Sequence, residues 1–163
     1  MDKGKILVSR GEGDFVIKLE GDVRLTLCAP LNHYIETIFS SDKVESVIVD
    51  MLAAKGVDST TLGLLAKLAI YCNKHFSICP TLFCTDPGLL QVIESMGMDD
   101  LFDIVEQTPE QLGDVDELQQ LSDSKQDIEL IRKHILEAHK LLVTLSPDNS
   151  SQFMDLIASL ERE

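Results

Sequence analysis

The sequence predicts an α/β domain with a mixed sheet, extended at its C-terminus by a helical hairpin. Three observations carry this. Short β-type runs alternate with amphipathic helical stripes from the N-terminus to about residue 107, the order that builds βαβ units. The run Val47, Ile48, Val49 has no polar alternate, as a central strand covered on both faces requires. From Thr108 onward strand-like runs cease and two helical stripes follow. The expected division is a domain over 1–107 and a linker with helical extension over 108–163.

The elements follow in order. Lys5 to Ser9 (KILVS), the turn-like RGEGD and Phe15 to Leu19 (FVIKL) read as two strands and a hairpin. In the second strand Phe15, Ile17 and Leu19 share one face. After a break at Gly21 and Asp22, a helix starting near Pro30 carries the stripe Leu31, Tyr34, Ile35 and Ile38. Val44 to Leu52 (VESVIVDML) gives the buried strand, with Asp50 at its end and AAKGVD as the loop that follows. Asp58, Ser59 and Thr60 then stand at the entrance of a helix striped by Leu62, Leu65, Ala66, Ala69 and Ile70. Their short side-chain oxygens can accept the backbone amides that a helix start leaves unpaired.

His75 to Phe83 reads as a further strand, bent or placed at an edge by Pro80. The next helix is capped by Thr85 or Asp86, has Pro87 in its first turn, and carries Leu90, Val92, Ile93 and Met96 before Gly97. Leu101 to Val105 makes a last short strand or an extended arm. Beyond the polar linker, Ser124 to Leu145 is helical, with Ile128, Ile131, Ile135, Ala138, Leu142 and Leu145 on its apolar side. Ser146 and Pro147 restart a helix striped by Phe153, Ile157 and Leu160. Short helices are marginal alone, so these stripes are expected to bury against each other, the main domain or a second copy in a homodimer.

The chain has 163 residues, 44% of them hydrophobic, and a formal net charge of −14 from 28 acidic and 14 basic residues. That field repels phosphate backbones and anionic lipid, which argues against nucleic acid and membrane surfaces and permits a protein partner with a basic docking face. No apolar run spans a bilayer and the N-terminus has no signal-like core, so a cytoplasmic location is expected. Cys28, Cys72, Cys79 and Cys84 fit neither a zinc knuckle nor a CxxC redox site and read as buried free thiols. His33, His75, His134 and His139 belong to no HExxH or nucleophile-elbow pattern, and GxxxxGK is absent. No catalytic residue, cofactor or metal is therefore expected, although Asp50 and Asp58 could both lie near the carboxyl ends of parallel strands, where open α/β sheets bind ligands. A receiver-type phosphoacceptor site is disfavoured, because no acidic pair follows the first strand and no lysine ends the fourth strand region.

The stretch VIVDMLAAKGVDSTTLGLL resembles the signature of STAS domains, the fold of bacterial anti-sigma factor antagonists and of the cytoplasmic tails of some anion transporters. In that family a strand ending in aspartate leads to Asp-Ser/Thr-Ser/Thr-Gly-Leu-Gly at the start of a helix. Asp50, Asp58, Ser59, Thr60, Leu62 and Gly63 match, while Thr61 stands where the family usually has glycine. GDVRL, from Gly21 to Leu25, is similar to the stretch before the family's first helix, so the resemblance covers about residues 4 to 107. It implies that Ser59 is a phosphorylation site and that Asp22, Arg24, Lys55, Val57, Asp58, Thr60, Thr61 and Leu64 form a docking face. The implied partner is an anti-sigma factor or related serine kinase, with a PP2C-type phosphatase to reverse the modification; the protein itself would be no enzyme. By local pattern alone, Asp58, Ser59 and Thr60 read first as a helix cap, a preference that the resemblance reverses, and a constitutive assembly subunit is the other role such a chain can fill.

Overall fold

The computed structural model of the protein describes residues 3–107, 118–121 and 127–162. The described strands form one sheet in the order β5 (Asp103–Val105), β4 (Thr81–Phe83), β3 (Ser46–Val57), β2 (Asp14–Val23), β1 (Lys5–Arg10) and β6 (Gln119–Gln120). β1 (Lys5–Arg10) and β2 (Asp14–Val23) make the antiparallel hairpin expected from their alternation. Gly13, at φ +83°, takes the left-handed turn conformation that a side chain would strain. β2, β3 (Ser46–Val57), β4 (Thr81–Phe83) and β5 (Asp103–Val105) run parallel. The mixed α/β sheet is the predicted architecture.

Two strand boundaries differ from the expectation, and they move the site. β2 does not stop at Leu19 but continues through Gly21 and Asp22 to Val23, while β3 passes Asp50 and Leu52 to end at Val57. Each extends the other: Glu20 pairs with Ala53, Gly21 with Ala54, Asp22 with Gly56 and Val23 with Val57, with register shifts between Lys18 and Glu20 and between Gly21 and Asp22. Small, weak strand formers are held here by pairing rather than propensity. Asp50 is therefore not a strand end. It lies in the strand body opposite Lys18 and Phe83, buried, its Oδ1 accepting from the Leu52 amide at 2.9 Å. Lys55 and Val57 likewise belong to β3 and not to a loop.

A single 3-10 turn (Leu25–Leu27) leads into α1 (Cys28–Phe39), whose Leu31, Tyr34, Ile35 and Ile38 are buried as the stripe predicts. α2 (Ser59–Tyr71) follows β3 and runs on into a π-helical turn over Cys72–Phe76, which Ser77 closes in a left-handed conformation at φ 55°. This turn occupies part of the stretch expected to be strand, so β4 keeps three residues, placed after Pro80 where its missing amide interrupts no ladder. α3 (Pro87–Ser95) is capped by Asp86, which accepts from the amides of Gly88 and Leu89. Leu89, Leu90 and Ile93 face the core, and Val92 lies more than a third exposed.

Ile6, Ile17, Leu19, Val49, Met51 and Leu82 of the sheet meet Leu31, Ile35, Ile38, Leu62, Leu65 and Leu68 of the helices in one apolar core, the main favourable contribution to folding. Cys28, Cys72 and Cys84 are buried free thiols; Cys79, against expectation, is exposed. Burial pushes the Cys72 thiol up to about 11.

Beyond residue 107 the proposed linker lies largely outside the described residues. Gln119–Gln120 nevertheless forms β6 beside β1, although no strand was expected there. α4 (Ile128–Leu145) starts after its cap Asp127; the earlier start at Ser124 falls outside the described residues. α5 (Pro147–Glu161) is capped by Ser146. The hairpin docks on the domain. α4 packs against α2, α1 and α5, and Asn149 of α5, fully buried, donates through Nδ2 to the carbonyls of Met96 (2.8 Å) and Leu142 (2.7 Å). The buried side of α4 is His134, Ala138, His139 and Leu142, whereas Ile128, expected in the stripe, is 73% exposed. Among the described residues no helix is long and apolar enough to cross a membrane.

Candidate functional site at the entrance of helix α2

The carboxyl ends of β2 and β3 and the start of α2 converge at Asp58. Its carboxylate joins three pieces of chain: Oδ1 accepts from the Thr61 amide at 2.9 Å and from the Thr61 hydroxyl at 2.8 Å, and Oδ2 accepts from the Leu25 amide at 2.7 Å. The first contact is a helix cap; the last ties α2 to the 3-10 turn after β2. Thr61, where glycine was expected, thus has a structural reason: its hydroxyl completes the cap. Asp22 and Arg24 stand alongside as an ion pair at 2.9 Å on the exposed rim. Asp22 is held close to β3, since a Cβ on Gly56 would lie 2.7 Å from its Oδ1.

Ser59 is the first residue of α2 and is half-buried. Its Oγ lies 2.6 Å from Nε2 of His139 on α4, and Nδ1 of the same ring lies 2.7 Å from the Ile135 carbonyl. A carbonyl can only accept, so in the neutral ring Nδ1 carries the hydrogen and Nε2 offers a lone pair. With that tautomer Ser59 donates to His139. The ring is itself buried, in a T-shaped contact with Phe153.

The same face of α2 continues under α4. A Cβ on Gly63 would lie 2.5 Å from the Ala138 Cβ and 2.6 Å from its carbonyl oxygen, so glycine is what admits the second helix. One turn on, Lys67 Nζ reaches Oε1 of Glu137 at 2.6 Å and also donates to Asn32 Oδ1 at 2.9 Å.

These contacts divide the expected docking face. Asp22, Arg24, Lys55, Val57 and Asp58 gather at one rim, with Arg24 and Lys55 exposed and Asp22, Val57 and Asp58 half-buried. Thr60, Thr61 and Leu64 are buried, Leu64 completely, and do not form an open surface with the others. Thr61 turns inward to its cap, and Leu64 borders the contact with α4. His139 was missed because it is 80 residues from Ser59. The available signal was a histidine set among Ile135, Ala138 and Leu142 of the predicted apolar stripe.

No family model matches the chain, and no curated protein matches it. Solved structures of the same fold include an anti-sigma factor antagonist from Mycobacterium paratuberculosis, 19% identical, with 64% of this chain and 87% of that one covered at a TM-score of 0.55. Another is the Bacillus cell fate determinant SpoIIAA in its phosphorylated form, 16% identical, covering 61% of this chain and 90% of that one at a TM-score of 0.52. The fold is thus the STAS fold, the one found in anti-sigma factor antagonists.

Proposed function

We propose that the protein is a phosphorylation-controlled anti-sigma factor antagonist, working by partner switching and not by catalysis. Unmodified Ser59 permits binding to an anti-sigma factor or related serine kinase, whose nucleoside triphosphate supplies the phosphoryl group; a PP2C-type phosphatase restores the hydroxyl. The observation that carries the reading is the placement of Asp58 and Ser59 at the start of α2, on a fold shared with SpoIIAA, itself solved in a phosphorylated form. A phosphate there adds roughly 1.5 to 2 negative charges beside Asp58 and the Asp22–Arg24 pair, enough to change recognition, while the helix N-terminus tolerates it. The working domain is residues 1–107, and the location is cytoplasmic.

The test is affinity capture from cells with the full chain as wild type, Ser59→Ala and Ser59→Asp, with phosphate mapped on the recovered wild type. Phosphate on Ser59, with a kinase-like regulator bound by wild type and Ser59→Ala and lost with Ser59→Asp, supports the switch. Identical partners for all three and no phosphate in any growth state would overturn it. One observation favours the second reading, a constitutive assembly subunit: the Ser59 hydroxyl is already engaged by His139.

A further inference from the structure

We infer that the α4–α5 hairpin is a releasable cover over the Ser59 face of α2, so that this face opens only when α4 lifts. Ser59, Gly63 and Lys67 recur every four residues and so lie along one side of α2; each meets α4, at His139, Ala138 and Glu137 in turn. A phosphoryl group on Ser59 Oγ needs the space that His139 Nε2 fills at 2.6 Å. A seated hairpin and a modified or partner-bound Ser59 exclude each other. That last consequence rests on the function proposed above; the cover itself does not.

The contact is built to open. Its distal end is fully satisfied, with both protons of the Asn149 amide used. The stretch that lies on α2 is less complete: Glu137 is paired with Lys67 at 2.6 Å, but His134 Nδ1 is buried without a partner. Beside them an apolar trough of about 470 Å³ runs between Gly63, Leu64 and Lys67 on one helix and Leu136, Ala138 and Leu141 on the other. The trough is open to solvent, so along it the two helices leave apolar surface uncovered; a buried unpaired polar atom weakens an interface, and segments with few buried apolar contacts are the ones that open locally.

The experiment uses the full chain with Ser59→Cys and reads alkylation of each cysteine by peptide mass spectrometry. Cys79, exposed, sets the unprotected rate; Cys28, Cys72 and Cys84, buried, report whether the domain stays folded. The cysteine at position 59 is expected to react at least tenfold more slowly than Cys79. Adding Gly63→Ala, favourable within α2 but colliding with Ala138, should raise that rate about tenfold while the three buried thiols stay protected. Ala138→Lys, on the other side of the contact, should do the same. Reaction at the Cys79 rate in the parent, or an unchanged rate in a variant whose buried thiols remain protected, would overturn the cover. Exposure of the buried thiols together with position 59 in both variants would also overturn it, because the hairpin would then be part of the cooperative core. Opening without phosphate or a switched partner in the capture experiment would remove the switch and leave the cover standing.

Discussion

Asp58→Ala is the most informative single perturbation, because three hydrogen bonds end on one carboxylate. Losing the cap to Thr61 costs about 1 kcal/mol, and losing the charge-assisted bond from the Leu25 amide about another 1.5 kcal/mol. The site is half-buried, so water replaces part of what is lost, and about 2 kcal/mol is the expected total. For a chain of this size that lowers the melting midpoint by roughly 4 to 8 °C. Asp58→Asn separates the two contacts. Its amide keeps one acceptor oxygen, so either Thr61 or Leu25 retains a partner and the other faces an NH₂ group; the expected cost is about 1 kcal/mol. Urea unfolding followed by far-ultraviolet circular dichroism reads both values, with the denaturant slope unchanged. A cost below about 0.5 kcal/mol for Asp58→Ala, or equal costs for the two variants, would refute the view that Asp58 ties β2, the 3-10 turn and α2 together.

Other outcomes follow from the hairpin. Asn149→Ala leaves the Met96 and Leu142 carbonyls without their side-chain donor and should cost about 2 kcal/mol, with hydrogen exchange rising in α4 and α5 before the sheet. His134 is held below the usual 6.5 chiefly by burial; Lys67 of α2 and Lys133 also lower it, against Glu137 and Glu36 of α1. The unfolded chain then takes up the proton first as pH falls, so this residue contributes stability above 6.5 that is lost below it. Replacing it in His134→Leu should flatten the difference in unfolding midpoint between about pH 7.5 and 5.5, and an unchanged difference would contradict the assignment.

Much of the fold was legible because burial leaves periodic marks. The alternation of Phe15, Ile17 and Leu19 and the stripe Leu31, Tyr34, Ile35 and Ile38 are core in the structure. What escaped depended on pairing at a distance. Ala53 to Val57 looks like a loop by composition and is strand only because β2 runs beside it. Gln119 and Gln120 have no strand signal at all and pair through β1. The site was half legible: Asp58 and Ser59 could be placed at a helix start from local chemistry, whereas the burial of Thr60, Thr61 and Leu64 and the hydrogen bond from Ser59 to His139 required tertiary structure. In the sequence Gly63 is one position of a motif; in the structure its neighbour Ala138 shows what the missing side chain makes room for.

The most direct measurement is the protonation pattern of the His139 ring by long-range nitrogen–proton correlation on the full chain at neutral pH, with Ser59→Ala beside it. The account predicts a hydrogen on Nδ1, held by the Ile135 carbonyl, with the Nε2 resonance moving when the serine hydroxyl is removed. A ring protonated at Nε2 alone would reverse the assigned donor and acceptor; a ring indifferent to Ser59→Ala would mean that α4 does not hold Ser59, and the covered-switch account would fall with it.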